Sequence, residues 1–440
     1  MALRKSAWWQ RVSLWCAAAA VAGASWAGSA AASSPVTVTL WSWSPLSTTM
    51  QKMVAAFEKA HPGIVIKPQI QPSSTYWTSL KAAAASGTLP DIIGLSAGVN
   101  TQLYRPFLQP LNSFAARSWG SNWRSRFPLA VDHQMLLGNP KGNHNVYMLP
   151  EEAEVLNVWY NRQIFKKLHL AIPRTLPQLV KVSRALDKAG YIAFFQGAEA
   201  ANFDQWMFME LADQTDQTGM LEAQIGKPTW TQPGMVRAMA AWKQLFTDGV
   251  IQQGALGQFQ YPTGANLFAA GRVGMMLLGS WWLQEAELPP PQPAEVKNLQ
   301  AFGTFPFPAI TPGGHPSPYI GGIDVGFGLT KAAKAHEAAA EAVLKSIVSG
   351  RMEQQALNTL NDLPAFAGFK PTIPLTRHLN ALYTRYLKIL PHTISHEIGN
   401  PVIGQALVNA MQGVASGKLT PSQGMASVNA VAIQQEKSGS

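Results

Sequence analysis

Residues 36–95 change hydrophobic period four times within sixty positions, and that alternation limits the folds open to the chain. In "VTVTLWSW" Val36, Val38 and Leu40 alternate with threonines, the period-2 pattern of a strand with one buried face. In "STTMQKMVAAFEKAHPG" Met50, Met53, Val54 and Phe57 recur at helical spacing, with Ser47 as the expected N-cap and His61-Pro62-Gly63 as the stop. "IVIKPQI" reads as a second strand, "SSTYWTSLKAAAASG" as a second helix ended at Gly87, and "DIIGLS" as a third strand. Strand, helix, strand, helix, strand with short connections predicts a parallel sheet covered on both faces.

Ligands of such sheets bind beyond the carboxyl ends of the strands. Trp41 and Trp43 share a face at the end of the first strand, just before Pro45, and Ser96, Gly98 and Asn100 follow the third. Indoles combine a flat apolar face with one N–H donor, and they stand where a ligand is expected.

The segment before the first strand reads as an export signal. Arg4, Lys5 and Arg11 precede an apolar run from Val12 to Trp26, and "AGSAAASSP" offers cleavage near Ala30 to Ala32. Cys16 is the only cysteine and Trp15 stands where a lipidation signal requires a small residue, so an unlipidated periplasmic product without disulfides is expected. Losing Arg4, Lys5 and Arg11 lowers the formal charge from +10 to +7. The remaining lysines are scattered rather than grouped with aromatics, so no nucleic-acid partner is expected.

The rest of the chain continues as α/β. "VLNVWY" and "IAFFQG" read as strands, Thr175 with Gln178 forms a capping box, and "TQPGMVRAMAAWKQLFTDGV" reads as a helix ended at Gly249. "NLFAAGRVGMMLLGSWW" is a helical turn, a glycine and a strand that again ends in two indoles, Trp281 and Trp282. Thr420 and Pro421 open a last helix. From the residues alone, two consecutive α/β domains would follow.

An ordered set of stretches resembles family 1 of the extracellular solute-binding proteins, the maltose-binding-protein-like sugar receptors of ABC importers. These are "VTLWSW", "FEKAHPGIVI", "YWTSLKAAAASGTLPDII", "EVLNVWYNRQIFKKLHLAIPRTLPQLV", "LFAAGRVGMMLLGSWW", "FGTFPFPAI", "YIGGIDVGFGLTKAAK" and "ASGKLTPSQGMASV". The chain departs from the pattern at "WWLQEAELPPPQP" and "PLAVDHQMLLGNPKGNHNVYMLP". The resemblance implies a type II periplasmic binding fold, two discontinuous lobes joined by a hinge near Pro150 and "TFPFPAI". It divides the chain into a signal peptide at 1–32, one lobe from 33–150 and 305–350, and another from 151–304 and 351–440. It further implies a monomer without cofactor that closes on a sugar or polyol and is recognised by membrane permease subunits.

The candidate ligand residues are Trp41, Trp43, Tyr76, Trp77, Asp91, Ser96, Asn100, Glu152, Glu154, Gln205, Trp206, Trp281, Gly321, Gly322 and Asp324. Trp281 is preferred to Trp282 because it occupies the family's Gly-Ser-Trp position. Tyr76 and Trp77 serve packing as readily as binding, and Asp91 suits a backbone contact as well as a ligand. A carboxylate at Glu152 or Glu154 can accept from two sugar hydroxyls, and a salt bridge between lobes is the alternative. Gly321 and Gly322 suit a sharp bend or a close approach. Glu151, Glu152, Glu154, Asp204 and Asp324 leave a glycosidase reading open, but no spacing singles out an acid pair, and no nucleophile elbow or phosphate loop is present. His392 and His396 lie four apart after Pro391 with no third ligand, so no metal site is expected. A receptor for a charged solute on the same fold is a third reading, and the apparently charge-poor strand ends weigh against it.

Overall fold

A computed structural model describes residues 34–199, 201–285, 301–314, 316, 320–359 and 362–438. The expected signal peptide and most of the proline-rich loop after Trp282 lie outside the described residues. Pro35–Ser440 forms one compact unit built on two sheets.

The opening alternation folds as its periods require. Strand β1, Val36–Ser42, buries Val38, Leu40 and Ser42 and pairs in parallel with β2, Ile64–Ile70, and with β3, Ile92–Leu95. Helix Ser47–Glu58 follows β1, and helix Ser73–Ser86 follows β2 and ends at Gly87, whose φ of 70° supplies the left-handed C-cap. Ser47 is the first helical residue rather than the cap: Leu46 occupies that position and makes no side-chain bond. Thr175 caps its helix by accepting from Gln178 N, but Gln178 Oε1 accepts from Arg174 N, one residue before the cap; the reciprocal box closes at Thr420, whose Oγ1 accepts from Gln423 N while its own N–H donates to Gln423 Oε1.

The first sheet then departs from a wholly parallel arrangement. Strand β4, Leu149–Val155, and strand β9, Gly321–Leu329, enter antiparallel, giving the order β10-β4-β9-β3-β1-β2 with Leu363–Pro364 as β10. The second sheet has the order β6-β7-β5-β8, from Asn157–Asn161 (β5), Ile192–Phe195 (β6), Val273–Leu278 (β7) and Phe302–Phe305 (β8). Its side chains alternate between two cores. Trp159, Phe195, Met276, Leu278 and Phe302 join the core that also covers the first sheet. Val158, Phe194, Met275, Leu277 and Phe305 face the second core, beneath helices Ala201–Gln224, Pro233–Thr247 and Pro401–Ala415.

The passages between sheets correct the expected boundaries. β4 belongs to the first sheet, so the chain crosses at Leu156, not Pro150; Leu156 N donates to Ile320 O at 2.9 Å, where the chain returns. The segment from Arg351 does not enter the second lobe either. Helix Arg351–Leu357 packs on Ser47–Glu58, and β10 extends the first sheet. Helix Arg377–Ile389 bridges the halves, with Tyr383 Oη donating to Asp362 O, Arg385 donating to Thr304 O and the Tyr386 ring beside Trp159. Only from Ile394 onward does the chain pack in the second core. One residue, Leu156, suffices for the first crossing, so no glycine- or proline-rich linker marks it.

Candidate functional site

The carboxyl end of β1 carries a cluster of aromatic rings. Trp43 lies 4.9 Å from Trp77 and 5.4 Å from Tyr76 between ring centroids, and Trp41, Trp43 and Trp77 remain partly exposed. Tyr76 is fully buried, with its hydroxyl 2.8 Å from Gly94 O and 3.2 Å from Trp41 O. Burial holds its phenol well above the usual tyrosine range. It therefore ties helix Ser73–Ser86 to β1 and β3 and presents Trp77 beside Trp43. Ser96 and Asn100 meet at the end of β3, Asn100 Nδ2 donating to Ser96 Oγ at 2.7 Å.

Asp91 does not join this group. Its Oδ2 accepts from Thr39 N at 2.7 Å and from Thr39 Oγ1 at 2.6 Å, and its Oδ1 lies 3.1 Å from His336 Nε2. It stands at the amino end of β3, remote along the strand from the carboxyl edge. Its bonds lock the start of β3 to the middle of β1.

A second aromatic group surrounds the Gly-Ser-Trp turn after β7. Trp282 is buried against Phe268 and Phe302, whereas Trp281 stays partly exposed. Trp281 Nε1 donates to Tyr261 Oη at 2.7 Å, and its ring lies 5.8 Å from Trp206. Gly279 makes room for that ring: a Cβ there would meet Trp281 Cζ3 at 1.9 Å. Trp206 is 9% exposed, Phe203 packs at its edge, and its Nε1 donates to Glu397 Oε1 at 2.9 Å. Gln205 Nε2 reaches His396 O at 3.5 Å.

Acidic groups lie between the two aromatic clusters. Glu152 accepts from Ser44 Oγ at 3.3 Å, one residue past Trp43. Glu154 Oε1 lies 2.8 Å from His396 Nε2, and His396 Nδ1 lies 3.1 Å from Gly321 O. Both ring nitrogens thus face oxygens, and a carbonyl can only accept. Burial lowers the His396 pKa and raises that of Glu154. The consistent assignment is a neutral imidazole donating from Nδ1 to Gly321, with Nε2 accepting a proton held on Glu154. Burial also pushes Asp324 up to about 6, although it shares hydrogen bonds with Glu152 and Asp362. Glu151, Glu353, Asp362 and Glu397 are likewise buried with raised values. The expectation of charge-poor strand ends fails here, because β4, β9 and β10 bring acids together from distant parts of the sequence.

Gly321 and Gly322 answer to packing. A Cβ on Gly321 would meet Glu154 O at 2.2 Å, and one on Gly322, whose φ is 153°, would meet Gln134 Oε1 at 2.1 Å. Gln134 fills that space and accepts from Ile323 N at 2.6 Å.

Sequence reasoning missed Gln134, Phe203, Tyr261, Asp362 and Glu397 as neighbours of this region. Glu397 and Phe203 stood beside residues already considered, His396 and Asp204. The halves also meet directly: a Cβ on Gly404 would lie 3.5 Å from Val99 Cγ2 and 3.6 Å from Gln205 Oε1, so the first lobe's strand-end helix touches helix Pro401–Ala415.

Residues 41–349, most of the chain, match the family described as bacterial extracellular solute-binding protein. The chain belongs to that family. A multiple sugar-binding protein of Streptococcus mutans is 24% identical over 350 residues, 76% of each chain. A chitin oligosaccharide binding protein of solved structure has a TM-score of 0.71 at 21% identity, covering 91% of this chain and 98% of that one. The maltose/maltodextrin-binding domain from Bdellovibrio bacteriovorus, bound to maltotriose, has a TM-score of 0.69 at 18% identity and covers 91% and 100%. The solute-binding fold is that of a two-lobed periplasmic binding protein, and the family is one of binding proteins rather than enzymes. Among the described residues no helix is long and apolar enough to cross a membrane.

Proposed function

We propose that the chain is the substrate-binding protein of an ABC importer and captures an oligosaccharide or related polyol between its lobes. One observation carries the reading. Two aromatic groups, partly exposed Trp41–Trp43–Trp77 and a second in which Tyr261 and Trp281 are partly exposed and Trp206 is buried behind them, flank a row of carboxylates that runs from Glu152 to Glu154 and on through His396. Sugar rings offer apolar C–H faces to indoles and hydroxyl edges to planar acceptors, so this arrangement suits them. The match to a multiple sugar-binding protein, and the fold shared with the oligosaccharide-bound maltodextrin-binding domain, support the same substrate class.

The proposed working parts are Trp41, Trp43, Trp77, Trp206 and Trp281 as stacking surfaces, and Ser96, Asn100, Glu152 and Asp324 as hydroxyl partners. Tyr76, Asp91, Gln205, Gly321 and Gly322 hold these in place, and Glu154 fixes the imidazole beside Trp206. Sugar held by one half gains contacts with the other on closure, which favours the closed state. Permease subunits then recognise the closed pair of lobes, and the protein acts as a monomer without turnover.

A thermal-shift screen of mono-, di- and trisaccharides and polyols identifies the ligand: at 100 times its Kd it adds about 2.7 kcal/mol of stability, a shift of a few degrees. With that ligand, small-angle scattering is expected to show a smaller radius of gyration. No shift with any saccharide, or hydrolysis of an oligosaccharide during incubation, overturns the reading. An unchanged radius at saturation removes the closure step.

The export reading is also proposed: cleavage near Ala32 and no lipid on Cys16. The intact mass of the exported protein is expected to match the chain from Ser33. A diacylglyceryl addition at Cys16 overturns it.

A further inference from the structure

The chain makes its last passage between the halves along residues 394–400, an extended stretch that carries His396 and Glu397. A segment with no ladder of its own must satisfy its polar groups through neighbours. Here they come from both halves. From the first, Gly321 N donates to Ile394 O at 3.0 Å, Gln134 Nε2 donates to Ser395 Oγ at 3.0 Å, and His396 meets Gly321 O and Glu154. From helix Ala201–Gln224 of the second, Gln224 Nε2 donates to Ser395 O at 2.7 Å, and Gly399 N donates to Gln224 O at 2.9 Å. Glu397 is therefore mounted on a strap bonded to both sides.

The strap aims this carboxyl at one indole. Glu397 Oε1 accepts from Trp206 Nε1 at 2.9 Å, and the His396 ring stands edge-on to the same indole at 5.1 Å. Burial alone does not give an indole such a partner in this chain: Trp230 and Trp282 are buried with no acceptor for Nε1 among the described residues. Nor is a carboxylate the acceptor easiest to bury, since removing it from water costs more than removing an amide. Both Glu397 and Trp206 are buried, so the N–H would be left unsatisfied without this acceptor. The effect reaches the cleft through ring contacts. Trp206 backs the partly exposed Trp281 at 5.8 Å, Tyr261 accepts from Trp281 Nε1, and Phe203 touches both Trp206 and Tyr261, at 5.0 and 5.9 Å.

We propose that Glu397 is a positioning residue of the solute site: held on the strap between the halves, it fixes the Trp206 indole and, through it, the stacking face of Trp281. The inference rests on the reading of the cleft as a saccharide site, and adds a residue that acts on affinity through another side chain. Rings fixed before the solute arrives lose little further freedom on stacking, whereas freed rings must be ordered by the solute, which weakens binding.

The test uses the exported chain labelled with heavy nitrogen. Trp206→Phe and Trp281→Phe assign the two indole N–H resonances. In the solute-free native chain the Trp206 N–H is expected to exchange slowly and to resonate downfield of water-exposed indoles. Glu397→Leu is expected to shift both resonances, and Glu397→Gln, which keeps an acceptor oxygen, to return both. With the saccharide found by thermal shift, Glu397→Leu is expected to weaken binding on the order of tenfold, the effect of having to order two freed rings, while Glu397→Gln stays within about threefold of the native chain. Should Glu397→Leu not fold, Trp206→Phe keeps a ring without the N–H, and it is expected to shift the Trp281 resonance and weaken binding in the same way. A lower Tm with an unchanged Trp281 resonance and unchanged affinity, or a native Trp206 N–H that exchanges as fast as an exposed indole, overturns the proposal. If no saccharide binds the native chain, the sugar reading fails, and the resonances of the solute-free chain still decide whether Glu397 sets the two indoles.

Discussion

Replacing Trp281 by alanine is expected to weaken binding of the cognate saccharide by roughly tenfold to 150-fold while leaving the fold in place. The ring is partly exposed, pinned at its edge by the 2.7 Å bond from Nε1 to Tyr261, and supported by Trp206 5.8 Å away. Its orientation is set before any ligand arrives, so little freedom is lost on binding. A stacked indole buries about 150–250 Å² shared between protein and ligand. Area does not convert directly to affinity, and a loss of about 1.5–3 kcal/mol is expected, which gives the stated range. Trp282→Ala is the control. That ring is buried between Phe268 and Phe302, and truncation there should cost about 3–5 kcal/mol of stability. Calorimetric titration and denaturant unfolding of both variants separate the roles. Unchanged affinity with a large stability loss in Trp281→Ala would assign that indole to the core.

The adjacent indoles also show what could be read from the sequence. That one of Trp281 and Trp282 packs inward follows from neighbouring side chains pointing in different directions, but which one does was legible only from the resemblance, through the family's Gly-Ser-Trp position. The first three strands were legible without it: their connections are short and the period changes sharply from two to 3.6. The remaining order of the first sheet was not legible. β9 inserts between β3 and β4 from more than 150 positions away, and nothing local to "GGIDVGFGL" specifies an antiparallel neighbour.

The polar part of the site was hidden by the same distance. Trp206 meets Glu397 across 191 positions, and Gln134 reaches Ile323 across 189. A low overall content of charged residues, 13%, gave no sign that six acids, Glu151, Glu152, Glu154, Asp324, Glu353 and Asp362, act on one another in one region. Asp91 was legible only in part. Its position before a strand suits a backbone contact, but the partner, Thr39, lies in a strand 52 positions earlier.

Stability is expected to fall steeply between pH 4 and pH 8, and Asp204→Asn is expected to remove much of that fall. Asp204 lies in the first turn of helix Ala201–Gln224 and is fully buried. Its Oδ1 accepts from Gln196 Nε2 at 3.2 Å, and its Oδ2 has no donor. Helix N-termini favour an ionised carboxylate by about 0.3–1 kcal/mol, up to about 2 in buried geometry. Desolvation outweighs that and the Gln196 bond, and pushes Asp204 up to about 8. A carboxyl whose folded pKa is raised above its unfolded 3.8 favours the folded state fully below that unfolded value. The contribution then declines as pH rises through the folded value. At about 1.4 kcal/mol per pKa unit, Asp204 alone accounts for a loss on the order of 5 kcal/mol across this window. Asp324, raised to about 6, acts with the same sign over the lower part of it. His396 acts in the opposite sense. Its lowered pKa favours the folded state above the ordinary histidine value and loses that contribution as pH falls, which limits the acid side of the optimum. Asparagine keeps an acceptor for Gln196 and cannot ionise. Denaturant unfolding of Asp204→Asn should therefore give a stability close to the native chain at pH 4 and several kcal/mol above it at pH 8. An equal difference at both pH values would show that Asp204 does not change its ionisation on folding.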